Sequence, residues 1–210
     1  MGLWRMSIWQ LFIAGGPVMW PILLSSVFAF AIILEKFWYL HKITIDTQEF
    51  LNKILDKMKR HEIKEALQVC DSTKSPIAHI LKAGILKYDR PRQQIVETIE
   101  DASLYEVPKM EKNLSMLATI GHIAPLLGLL GTVTGMVRCF QTVQSKSMSL
   151  YPVSPGDLAG GIWEALLTTV AGLIVAIPTY VAYNYLVSRI NYFVLEMEKA
   201  STELVNFLSE

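Results

Sequence analysis

The sequence has 210 residues, of which 52% are apolar and only 18% charged, and its formal net charge is zero. That balance argues neither for nor against nucleic acid, but no cluster of Lys and Arg is interleaved with aromatics, so no nucleic-acid-binding surface is expected. The charges are also unevenly placed: none falls between Met6 and Leu34 or between Asn113 and Val137, and Glu164 stands alone between Leu158 and Ser188. Each run exceeds the roughly 20 apolar residues that carry an α-helix across a bilayer. Three long buried helices without a polar face would be unusual in a soluble chain this short. The expected fold class is an all-α membrane protein with three transmembrane helices.

Taken in chain order, residues 1–14 read as a short interfacial helix, because Trp4, Trp9 and Phe12 suit the boundary between headgroups and hydrocarbon. Arg5 before an apolar run resembles a secretory signal, but the run is too long and lacks a small-residue cleavage site before Glu35. It reads as a retained anchor. Gly15-Gly16-Pro17 separates it from the first span, 15–40. Residues 41–112 are rich in charges of both signs, so this segment is solvated on at least one face. Phe50, Ile54, Leu55 and Met58 follow the spacing of an amphipathic helix. Pro76 to Tyr88 repeats it, and Pro91 and Pro108 punctuate the approach to the second span, 113–140. A loop over 141–157, with Pro152 and Pro155, makes that span an antiparallel hairpin with the third, 158–188, and a tail of 189–210 follows.

Lys and Arg near span ends set the orientation. Lys36, Lys42, Lys53, Lys109, Lys112, Arg189 and Lys199 flank one side, against Arg5, Arg138 and Lys146 on the other. The large segment and the tail are therefore expected in the cytoplasm, with the N-terminus and the 141–157 loop outside. Cys70 and Cys139 would then lie on opposite sides of the membrane and read as packing thiols.

Glu164 is the first candidate for chemistry. An acid within a span costs about 2.5–3.5 kcal/mol on insertion scales, so it normally faces a protein interior or a wet cavity; the alternative is a carboxylate snorkelling to the nearby interface. At 100° per residue Thr168 lies 40° from Glu164 and Thr169 lies 140° away, and either hydroxyl could simply bond the carbonyl one turn back. Gly128, Gly131 and Gly135 include one GxxxG pair, which permits close helix approach. Pro125 and Pro178 each delete a backbone donor within a span. No enzyme motif is complete: His61-Glu62 lacks the second His of a zinc helix, and there is no phosphate loop or nucleophile elbow.

Ala124-Pro-Leu-Leu-Gly-Leu-Leu-Gly-Thr-Val-Thr-Gly-Met-Val, then Gly161-Ile-Trp-Glu-Ala-Leu-Leu-Thr-Thr-Val-Ala-Gly-Leu and Ala176-Ile-Pro with Tyr183-Asn184, resemble the paired motifs of the MotA/TolQ/ExbB proton channel family. Three spans rather than four favour its ExbB/TolQ branch. The resemblance implies a bacterial inner-membrane protein, a homopentamer around a dimer of a single-span ExbD/TolR-like partner that brings a membrane aspartate. A TonB/TolA-like third protein would receive the work. No bound cofactor is implied, only protons as the coupling ion. Carried over by position, Thr132 and Thr169 match the family's pore threonines and Glu164 its third-span glutamate. Thr168 is secondary, and Gly172 joins the packing glycines. Toward the cytoplasm this reading leaves only Thr132, Thr169 and apolar side chains, so the proton acceptor is expected from the partner. A structural scaffold or a stand-alone small-ion channel is the alternative.

Overall fold

The computed structural model describes residues 8–148 and 154–209, and every regular element in them is an α-helix. The order is α1 (Ile8–Ala14), α2 (Met19–Ile43), α3 (Thr47–Lys59), α4 (Ile63–Ser72), α5 (Pro76–Ile85), α6 (Arg92–Glu111), α7 (Leu114–Met148) and α8 (Pro155–Leu208). Three helical stretches, containing α2, α7 and α8, are long and apolar enough to cross a membrane. Trp4 and Arg5 lie outside the described residues, as does Pro152.

Local chemistry explains the breaks. Gly16, at φ +73°, takes the left-handed conformation that a side chain disfavours, and Pro17 follows it before α2. Asp46 caps α3 by accepting the Glu49 N–H at 3.0 Å. Pro76 and Pro155 open α5 and α8, where a missing N–H costs nothing. Between α6 and α7 the break falls at Lys112-Asn113, with Asn113 at φ +67°.

Three expectations need correction. Pro108 lies inside α6 rather than ending it. The expected loop over 141–157 is helical through Met148, because Gln141–Met148 holds no Gly or Pro to stop α7. On α3 the buried stripe is Phe50, Leu51, Ile54 and Met58, whereas Leu55 is half-buried, so the inward face is rotated by part of a turn.

The chain divides into two compact units. The first takes the described parts of Met1–Leu34 with Asn113–Asn184. Here the buried positions of α7 run Leu114, Leu117, Gly121, Ala124, Gly128, Gly131, Gly135 and Cys139, in steps of three and four. Those of α8 run Ala165, Thr168, Gly172, Ala176 and Thr179. Small residues line both stripes, while large ones such as Leu129, Val133, Leu166, Val170 and Ile174 point outward, as a helix pair facing lipid or further helices requires.

The second unit takes Glu35–Lys112 with the described part of Tyr185–Glu210. In sequence α3, α4, α5 and α6 each pack on the next. Two buried polar groups close helix ends in this unit. Ser75 donates to the Ile43 carbonyl at 3.1 Å, serving the last residue of α2, and Lys36, only 2% exposed, donates to the Met110 carbonyl at 3.1 Å.

Cys70 is 1% exposed on α4 and unbonded to another cysteine. Burial, helped by the neighbouring Asp71 charge and opposed by Lys82, pushes its thiol from 9.0 up to about 11. The fold therefore holds the neutral thiol, and the stability this group contributes is full below pH 9.0 and lost as pH rises toward 11. Expected results are slow iodoacetamide labelling of Cys70 at pH 8 relative to the denatured chain, and a shallower alkaline fall in stability for Cys70→Ala.

Candidate functional site

The seam between α7 and α8 is built from glycines that admit no side chain. A Cβ on Gly131 would lie 2.2 Å from Thr168 Oγ1 and 2.3 Å from its Cβ. A Cβ on Gly172 would meet the Ala124 carbonyl oxygen at 2.6 Å, and one on Gly135 the Gly161 carbonyl oxygen at 2.8 Å. A Cβ on Gly128 would stand 3.1 Å from the Thr168 carbonyl oxygen and 3.1 Å from the Thr169 Cα. Both helices run on through Pro125 and Pro178.

That seam sorts the threonines. Thr168 is fully buried against Gly131, and its hydroxyl donates back to its own helix, to the Ala165 carbonyl at 2.8 Å and the Glu164 carbonyl at 3.2 Å. Thr169 is half-buried and reaches across, sharing its hydroxyl between the Gly128 carbonyl of α7 and the Ala165 carbonyl of α8, both at 3.3 Å. Thr132, also half-buried, donates to Leu129 at 2.6 Å. A hydroxyl that donates to a carbonyl still has free lone pairs, so Thr132 and Thr169 can accept from water. Thr168 sits beneath Glu164 on one face, as helical geometry requires, but it is sealed in the packing.

Glu164 does not extend into open space. Its carboxylate pairs with the Arg138 guanidinium of α7, the carboxylate side chain being 14% exposed and the guanidinium side chain 48%. Gly16 closes over the pair: a Cβ there would fall 2.0 Å from Glu164 Oε1 and 3.2 Å from Arg138 Nη1. The positive φ of Gly16 and the absence of a side chain thus bring backbone directly onto the carboxylate.

Sequence reasoning assigned Arg138 only to the flanking charges and Gly16 only to a chain break. It also missed His122 on α7, because the search for charges in the spans took in only Asp, Glu, Lys and Arg. Its Nδ1–H donates to the Ala118 carbonyl at 2.7 Å and its Nε2 accepts from the Tyr180 hydroxyl of α8 at 3.2 Å. A signal existed for each: a cation one loop away from a lone acid, a glycine before a proline, and a titratable ring within an apolar span.

Residues 72–199 match the MotA/TolQ/ExbB proton channel family. Over 186 residues the chain is 30% identical to a protein of Methanothermobacter thermautotrophicus named as a biopolymer transport protein ExbB homolog, covering 88% of this chain and 64% of that one. Over 187 residues it is 31% identical to biopolymer transport protein ExbB-like 1 of Synechocystis, covering 87% and 73%. To the Tol-Pal system protein TolQ of Pseudomonas aeruginosa it is 34% identical over 129 residues, 55% of this chain and 53% of TolQ. Both seam motifs fall within the matched residues.

Proposed function

The chain belongs to the MotA/TolQ/ExbB proton channel family, on its ExbB/TolQ-like branch, and from that premise we propose that it is the channel-forming subunit of a proton-driven motor in the inner membrane. It works as a homopentamer around a dimer of a single-span ExbD/TolR-like partner, whose membrane aspartate takes and releases protons. The observation that carries this reading is the seam itself: a membrane carboxylate held by Arg138 under Gly16, on the same helix pair as two half-buried threonine hydroxyls.

Protons enter from the outer side, neutralise the partner's aspartate, and leave past Thr132 and Thr169. The neutral acid passes an apolar wall that the anion cannot, because a desolvated charge is costly. A TonB/TolA-like protein receives the resulting movement. The large segment of residues 41–112 and the C-terminal tail lie in the cytoplasm.

Liposomes loaded with a pH dye and given a potassium-driven potential test this. With an ExbD/TolR-type protein of the same organism present, internal acidification is expected; with this chain alone, the signal should match empty liposomes. Acidification by the chain alone, unchanged by the partner, would mean a stand-alone channel. Thr132→Ser and Thr169→Ser should keep the partner-dependent flux, while Thr132→Val and Thr169→Val should lose most of it, since valine keeps the shape but cannot hold water. Thr168→Val should be milder, its hydroxyl being spent within its own helix.

A further inference from the structure

We propose that His122 and Tyr180 form a proton-transfer dyad within the spans, a second protonation site on this chain far from Glu164. The inference rests on the proton-channel reading above. Along α7, His122 lies about 24 Å from Arg138 at 1.5 Å per residue, so it cannot exchange protons directly with the Glu164 pair. The distance makes it a separate station, at the end that the charge count assigns to the cytoplasm.

The dyad is built, not incidental. Gly121 is buried, and a Cβ there would stand 3.0 Å from Tyr180 Cδ2, so the missing side chain seats the phenol ring on α7. The Tyr180 and His122 rings then meet edge to face at 5.2 Å, with Tyr183 one turn further on α8 at 6.4 Å from Tyr180. A carbonyl can only accept, so the Ala118 contact assigns the imidazole hydrogen to Nδ1 and leaves Nε2 as the basic nitrogen. The Tyr180 hydroxyl donates to that nitrogen and keeps its oxygen lone pairs for water. Both side chains are exposed on this unit, and an imidazole in an apolar span faces a wet cavity or another subunit rather than lipid.

No Asp, Glu, Lys or Arg occurs on α7 between Leu114 and Val137, on α8 between Ala165 and Ser188, or on α2 before Glu35. The groups facing His122 are therefore Tyr180 and, behind it, Tyr183. The step balances with water alone. A hydronium gives its proton to the Tyr180 oxygen as the phenol passes its own proton to Nε2, leaving water, an intact phenol and an imidazolium. Release follows when the Tyr180 hydroxyl turns aside and the imidazolium gives its Nε2 proton to the water that replaces it, while the Nδ1–H stays bonded to the Ala118 carbonyl. Imidazole suits the task because a ring nitrogen can accept a proton and later donate it.

The test is proton flux in liposomes holding the full chain and an ExbD/TolR-type partner, measured from pH 5.5 to 8 for wild type, His122→Gln, Tyr180→Phe and Glu164→Gln. Glutamine reproduces the hydrogen bonds of the ring but cannot carry the proton. Loss of about a hundredfold at pH 7 is expected for His122→Gln, the lower end of what a positioned acid-base group contributes, together with a flattened pH profile. Tyr180→Phe keeps the ring seated on Gly121 and should shift the profile with a smaller loss. Flux and profile like wild type in His122→Gln, with Glu164→Gln inactive, would overturn the dyad and spare the channel reading. Absence of partner-dependent flux in the wild type would sink the channel reading itself. If His122→Gln fails to co-purify with the partner, the Tyr180→Phe profile decides: an unchanged profile overturns the dyad.

Discussion

Glu164→Gln is expected to abolish proton-driven output in cells while the protein still inserts, assembles and co-purifies with its partner at normal levels. Glutamine keeps the length and can still donate or accept a hydrogen bond, but it neither carries charge nor exchanges a proton at ordinary pH. The stability cost should stay within about 1 kcal/mol, because the abandoned Arg138 side chain is 48% exposed and can find water. Function and folding therefore separate in this variant. Arg138→Gln is the harsher structural test, since it leaves a carboxylate only 14% exposed without its cation. Gly16→Ala should lower output through the same pair, because its Cβ would land on Glu164 Oε1 and the carboxylate must swing away from Arg138. Gly16→Asn separates the two possible causes: asparagine tolerates a positive φ but brings the same Cβ, so equal loss in both variants points to contact rather than backbone strain. Full output from Glu164→Gln at normal expression would return this residue to a carboxylate that merely reaches for the interface.

Gly131→Ala and Gly172→Ala should be the most damaging single methyl groups in the chain. The Cβ on Gly172 would meet a backbone oxygen, and the one on Gly131 would meet Thr168 at its own Cβ; neither obstacle can rotate aside. The helices must separate, and overpacking of this kind costs about 1–3 kcal/mol. A drop in the melting temperature of the detergent-solubilised protein is the expected readout, with loss of partner co-purification. Gly160→Ala is the matched control, for nothing lies within 4 Å of its Cβ. There alanine should be neutral or stabilise by up to about 1 kcal/mol through helix propensity alone. Thr168→Gly should partly rescue Gly131→Ala by moving the missing side chain to the facing helix. Melting of Gly131→Ala at the wild-type temperature would mean that the seam opens in solution.

Much of this architecture is legible one helix at a time. The uncharged runs around Phe28, Gly128 and Ala171 require three membrane helices, because no other structure satisfies the backbone in hydrocarbon without a closed barrel. The breaks at Gly16-Pro17 and before Pro76 follow from φ preferences that belong to single residues. The repeat of Gly128, Gly131 and Gly135 marks a face that another helix can approach, whichever helix that proves to be. Where α7 stopped was harder to read: Pro152 and Pro155 drew the expected loop too far back, since polar residues such as Gln141 and Gln144 propagate a helix once it is under way.

The partners are what only the tertiary structure decided. Arg138 and Glu164 are 26 positions apart, His122 and Tyr180 58, Lys36 and Met110 74. Periodicity within α7 or α8 says which residues share a face, but not the rotation and vertical offset at which the two faces meet. That phase is set by glycines and threonines interlocking along the seam, at contacts where a single methyl group would not fit. Once it is set, Thr168 is sealed, Thr169 is half-open, and Arg138 and Gly16 converge on one carboxylate.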